Sequence, residues 1–170
     1  MEEEKVIELI RHYRHNLMNH LQIIHGYASM GKTDKVQQKI NNYIAYLEEE
    51  RKLVNLNAPA FALYFLQFDS LHSNFRLTYH IETEHKDLQP IDKLLVKRCK
   101  QLMENVVRLT DKLEIYELTV RLYDLASKEI RLEFIVKDCL QHNINADNSQ
   151  ETAIYNDGND MVCAVSVIYE

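Results

Sequence analysis

Glycine and proline are scarce in this 170-residue chain, which has three of the first and two of the second. A glycine-rich phosphate-binding loop therefore has almost no material to be built from. Cysteine is scarce as well: Cys99, Cys139 and Cys163 are scattered, odd in number and form no CxxC pair. That argues against a disulfide framework and a zinc site, and fits a reducing cytosol. No apolar run is long enough to span a bilayer, and Met1-Glu2-Glu3-Glu4-Lys5 is not the start of a signal peptide. A cytoplasmic protein with no membrane partner is expected. A net charge of −6 argues against a nucleic-acid partner. What is present, 46% hydrophobic and 27% charged residues, is the balance of a folded protein. The length suits one compact domain or two small ones.

The first 56 residues read as a helical hairpin. Apolar residues at Val6, Ile10, Tyr13, Leu17, Leu21, Ile24 and Ala28 recur every three or four positions, the core-facing seam of a helical bundle. The helix is predicted over 2–30, with Gly31 as its stop. Thr33 can cap a second helix over 34–54, on which Val36, Ile40, Tyr43, Leu47 and Val54 keep the same period. Two helices cannot bury a full core. A second copy of the chain would complete a four-helix bundle across a dimer axis; the alternative is that the hairpin packs on the rest of its own chain.

Asn55-Leu56-Asn57-Ala58-Pro59 reads as a boundary, dividing 1–56 from 57–170. Beyond it, 59–72 reads as a buried helix and Phe75 to Ile81 alternates as a strand. Ile91 to Thr110 is helical, with Leu95, Cys99, Leu102, Val106 and Leu109 on one face. A strand hairpin follows, through Leu118, Val120 and Leu122, then Ile130, Leu132, Phe134 and Val136. Residues 139–160 are polar and read as a loop, and Met161 to Tyr169 as a last strand. The fold class is α+β: a helical hairpin, then a domain with helices on one face of a mostly antiparallel sheet.

His15 is the residue that points to chemistry. At about 100° per residue it lies roughly 160° from the centre of the apolar seam. Asn19 shares its face one turn later, and Arg11 lies one turn earlier. An imidazole held in water on a rigid helix beside cations is well placed to take up a phosphoryl group. His12, His15, His20 and His25 could suggest a metal cluster, but His15, His20 and His25 project in different directions and no Cys or acid completes a ligand set. No metal site is expected.

The run Arg14-His15-Asn16-Leu17-Met18-Asn19-His20-Leu21-Gln22-Ile23-Ile24-His25-Gly26 resembles the dimerisation and phosphoacceptor helix of bacterial two-component systems. Within that group it is most similar to the type B sporulation initiation phosphotransferases of endospore-forming bacteria. The resemblance is specific around His15; over 57–170 it is one of architecture, to a degenerate α/β sandwich of the histidine-kinase ATPase type. There, Gln101-Leu102-Met103-Glu104-Asn105-Val106 resembles an eroded Asn box. The Asp-x-Gly-x-Gly expected after a strand stands here as Asp138-Cys139-Leu140-Gln141-His142, without either glycine. Asp157-Gly158-Asn159 reads as a simple glycine turn. Loss of ATP binding is the expectation, because backbone must approach phosphates closely there in unusual dihedrals.

The resemblance implies a relay function. His15 would be the phosphoacceptor, taking phosphate from the aspartyl-phosphate of a single-domain response regulator and passing it to the aspartate of a master sporulation response regulator. Each regulator would bring its own Mg2+, so this chain needs no cofactor of its own. Arg11 and Arg14, with Lys32 further along the hairpin, would supply positive charge; Asn16 and Asn19 would orient the imidazole or contact the partner. The position after the phosphoacceptor is often acidic in these families. Asn16 stands there instead and cannot act as a general base, which weighs against a kinase more than against a transferase. An ATP-dependent sensor histidine kinase fragment and a non-catalytic scaffold that docks response regulators are the alternative readings.

Overall fold

The computed structural model describes residues 3–84, 87–126, 128–140 and 152–168. The chain divides into two compact units, Met1–Arg51 and Lys52–Glu170. No helix among the described residues is long and apolar enough to cross a membrane.

The first unit is the helical hairpin, α1 (Glu3–Ser29) and most of α2 (Thr33–Val54). Glu3 and Glu4 lie in the first turn of α1, where carboxylates favour the positive end of the helix dipole. The helix ends at Gly31, whose φ of 66° is strained for any residue with a Cβ. Gly31 N–H donates to the Ala28 carbonyl at 2.9 Å and Lys32 N–H to that of Tyr27 at 3.0 Å. That pair of bonds is a Schellman stop. The Lys32 carbonyl accepts from Val36 N–H, so α2 begins at Thr33, one residue before the predicted start. Three contacts step in opposite directions along the two helices, as an antiparallel hairpin requires. The Tyr13 hydroxyl donates to Glu50 at 3.1 Å, His20 stacks on Tyr43 with centroids 4.3 Å apart, and the Lys35 ammonium sits 5.6 Å from the Tyr27 ring centroid.

The second unit has the helices α3 (Pro59–Leu66), α4 (Phe68–Leu71) and α5 (Asp92–Leu109) and the strands β1 (Phe75–Ile81), β2 (Tyr116–Ala126), β3 (Glu129–Val136), β4 (Ala153–Asp157) and β5 (Asp160–Ile168). The sheet order is β1-β2-β3-β5-β4. β1 runs parallel to β2, with α5 in the crossover that a parallel pair needs; the other neighbours are antiparallel. Alternate residues fill one face. Val120 pairs with Phe134 and Phe134 with Cys163, all of them buried. Leu95, Cys99, Leu102 and Val106 of α5 are fully buried in the same core, as are Phe61 of α3 and Phe68 of α4. Burial pushes the Cys99 thiol well up and the Cys163 thiol up to about 12, so both stay protonated and unreactive.

Two sequence expectations need correction. The helix predicted over 59–72 is broken at Gln67, where φ is −99° and ψ 1°; beyond the break Phe68 packs at 0% exposure. Residues 139–160, expected to be loop, contain β4. It is a short edge strand whose single buried residue, Ile154, leaves too weak an alternation to be read. Gly158, with φ of 61°, turns β4 back into β5. The part of that segment over 141–151 lies outside the described residues.

Candidate phosphoacceptor site

His15 is exposed on the middle turns of α1, held by a helix that continues for three turns on either side. The Asn19 side-chain amide lies 3.4 Å from His15 Nδ1. The i, i+4 geometry of a helix produces this contact directly. A second pair of the same kind lies one turn earlier: the Asn16 amide is 3.2 Å from His12 Nε2, and both of those residues are half-buried. Asn16, adjacent to His15 in sequence, is thus turned to His12, while Asn19 faces His15. The shared spacing of four in His12–Asn16 and His15–Asn19 was the signal that could have separated the two roles.

Arg11 and Arg14 are exposed, and neither forms an ion pair among the described residues. Lys32 is exposed in the turn between the helices. His20 is taken up by its stack on Tyr43. His25 is exposed, and its carbonyl accepts from the Ser29 hydroxyl at 2.9 Å. About two and a half turns of α1 therefore carry Arg11, Arg14, His15 and Asn19, all exposed to solvent.

The seam on the other side of α1 carries exposed apolar groups. No described side chain of the first unit is fully buried. Leu17 and Ile24 of the seam are half-buried, but Ile10, Tyr13 and Leu21 are exposed by 49%, 43% and 47%. On α2, Ile40 and Ile44 are 39% and 50% exposed. An amphipathic pair of helices has its stripe only partly covered by the contacts within one hairpin.

In the second unit the eroded Asn box lies on α5. Glu104 is exposed, and Asn105 Oδ1 accepts from Arg108 Nη2 at 3.1 Å. Asp138, the first residue of the glycine-less box, has φ of 50°, and its N–H donates to Asp160 at 3.0 Å. Gln141 and His142 lie outside the described residues.

The outer face of the sheet holds a network that the sequence did not suggest. Glu133 accepts from Arg131 and from the Tyr123 hydroxyl, each at 2.8 Å, with Arg121 at 3.9 Å. Burial pushes the Glu133 carboxyl up, but the hydrogen bonds from Arg131 and Tyr123 outweigh it and hold the group below the usual carboxylate value. Only the register Arg121↔Glu133 and Tyr123↔Arg131 between β2 and β3 brings these residues together.

Residues 1–56 match the family described as sensor kinase SpoOB-type, alpha-helical domain. Sporulation initiation phosphotransferase B of Bacillus subtilis (strain 168) is 34% identical over 118 residues, which are 69% of this chain and 62% of that protein. The chain thus spans about three fifths of the length of the curated relative it matches. Among solved structures, the catalytic domain of the histidine kinase ThkA superposes with a TM-score of 0.44 at 14% identity, over 67% of this chain and 92% of that one. The blue-light activated histidine kinase EL346 of Erythrobacter litoralis also gives 0.44, at 14% identity, over 99% of this chain and 60% of that one. Residues 1–56 are thus similar to the SpoOB-type sensor-kinase alpha-helical domain, and 118 residues of the chain are similar to sporulation initiation phosphotransferase B.

Proposed function

We propose that the chain is a histidine phosphotransferase of a sporulation phosphorelay, with His15 as its phosphoacceptor. The observation that carries this reading is an exposed imidazole with an amide at its Nδ1, on a helix of the phosphotransferase-like domain. Turning the Asn19 amide over brings its Oδ1 to the ring in place of Nδ2; Oδ1 then accepts from Nδ1–H, and Nε2 keeps its lone pair.

The nucleophile is the neutral imidazole, whose unprotonated ring nitrogen has the free lone pair that attacks phosphorus. Nε2 attacks phosphorus of an aspartyl-phosphate on a single-domain response regulator. The N–P bond forms, the acyl O–P bond breaks, and the aspartate leaves as a carboxylate. The Nδ1 proton stays shared with Asn19. In the second half, the aspartate of a master sporulation response regulator attacks phosphorus, the N–P bond breaks and neutral His15 returns. The transition state is loose and in line, so positioning and charge neutralisation supply most of the catalysis. Arg11 and Arg14 provide cations near the ring, and the regulator brings its own Mg2+ and lysine. The chain needs no cofactor and draws no phosphate from ATP.

The exposed apolar residues of α1 and α2 support a homodimer in which two hairpins form a four-helix bundle. Each protomer then offers one His15 to a receiver domain. The chain works in the cytoplasm. The reading is tested by mixing the protein with a phosphorylated receiver domain and following label in a single turnover. His15→Gln abolishes transfer and keeps the wild-type melting curve. Relay flux unchanged in that variant would leave a docking scaffold as the function, and label acquired from ATP alone would make the chain a kinase.

A further inference from the structure

The second unit contains an open cavity of about 760 Å³ between the α3–α4 segment and the C-terminal half of α5. That is within the range of small-molecule sites, roughly 300–1,000 Å³. Its cations are Lys100, Arg108 and Lys112, against one carboxylate, Glu104. This concentration of positive charge stands in a chain whose net charge is −6. Lys100 and Lys112 form no ion pair among the described residues. The walls are apolar where Leu71, Met103 and Val107 line them.

Tyr64, His72 and Thr110 add polar groups without a formal charge. Tyr64 is 7% exposed, and its buried hydroxyl has no hydrogen-bond partner, a donor whose desolvation is uncompensated until something accepts from it. His72 stacks on Phe68 at 4.6 Å, and burial holds its pKa below the usual value. Met103 and Glu104 of the eroded Asn box line the cavity, but its Asn105 does not. The α5 residues that line it, 100, 103, 104, 107 and 108, form one stripe; Asn105 projects about 130° away from the centre of that stripe.

We propose that this cavity is a binding site for a small organic phosphate or carboxylate with an apolar or aromatic body. The anion sits among Lys100, Arg108 and Lys112, where charge-assisted hydrogen bonds are strongest. The body lies against Met103 and Val107. The inference rests on this cavity alone and stands whether or not His15 carries phosphate.

The test uses the full chain and phenyl phosphate as probe, with binding followed by the Met103 methyl resonance and by calorimetry. Saturable binding that moves the Met103 signal is expected, with inorganic phosphate at least about tenfold weaker because it lacks the apolar body. The double variant Lys100→Glu/Lys112→Glu changes exposed residues and keeps the fold; its affinity for phenyl phosphate drops at least about tenfold. Tyr64→Phe, tested alongside, weakens binding several-fold. Equal affinity for the two probes, or equal binding by the wild type and the double variant, would overturn the proposal, as would saturation that leaves Met103 unmoved.

Discussion

Asn19 sits 3.4 Å from His15 Nδ1, and Asn16 sits 3.2 Å from His12. These two asparagines differ in what they do for the proposed nucleophile, although both lie within one turn of it. Partners that fix the tautomer and orientation of metal-bound histidines are worth about 10- to 100-fold, and the same orienting role is assigned to Asn19. Asn19→Ala is therefore expected to slow single-turnover transfer by about tenfold, with Asn16→Ala affecting it less; rapid-quench measurement on both variants checks the order. The titratable residues of the second unit give a separate set of expectations. The Glu133 carboxyl is held below its ordinary 4.5, despite the burial that opposes this, by Arg131 and Tyr123. A depressed carboxyl stabilises the fold above its unfolded pKa, and that contribution is lost as pH falls through the folded value. Glu133→Gln should cost about 2 kcal/mol at neutral pH and flatten the acid limb of urea-melt stability below about pH 4.5. Burial lowers the His72 pKa from 6.5. The folded state then binds fewer protons than the unfolded one, so stability is present above pH 6.5 and declines as pH falls from there toward the folded value. His72→Phe should remove that slope.

The short helix α3 depends on a residue 31 positions away from it in sequence. Both carboxylate oxygens of Asp92, at the start of α5, accept from α3 N–H groups: Ala60 at 3.0 Å and Phe61 at 2.8 Å. Pro59 needs no such partner. Asp92→Ala leaves two donors of that helix end unpaired and should lower stability by about 1–2 kcal/mol, read as a shift in the thermal midpoint. A contact of this kind cannot be read from the chain, because nothing local links Asp92 to Phe61. What could be read was local and periodic. The seam of α1, the stop at Gly31 and the buried face of α5 at Leu95, Cys99, Leu102 and Val106 all follow from spacing within a few turns. β2 and β3 showed as two alternating runs around a turn. β4 did not, since its pattern has one buried residue in five. The break at Gln67 carries no glycine or proline to announce it. At the site, the exposure of His15 was legible from the helical period, and the i, i+4 spacing of His12–Asn16 and His15–Asn19 was there to separate the two asparagines.

At the scale of the molecule, a two-helix unit without a fully buried described side chain must find cover for its apolar groups or leave them wet. The proposed homodimeric bundle would cover them. Leu21 is 47% exposed and Ile10 49%, and a carboxylate at either would be desolvated in a bundle core at a cost of several kcal/mol. Leu21→Glu is expected to convert a dimer to monomers by sedimentation velocity while leaving the sheet domain's melting transition in place. The two proposed properties, a paired stalk and an outward imidazole, meet in one measurement. The protein is incubated with an aspartyl-phosphorylated receiver domain in the absence of ATP, and the phosphoryl group is located by phosphorus NMR and by fragmentation at neutral to alkaline pH. An acid-labile phosphate on Nε2 of His15, lost when unphosphorylated receiver of the second regulator is added, is the expected result. Phosphate on any other side chain, or none on the protein while the relay still runs, would contradict it.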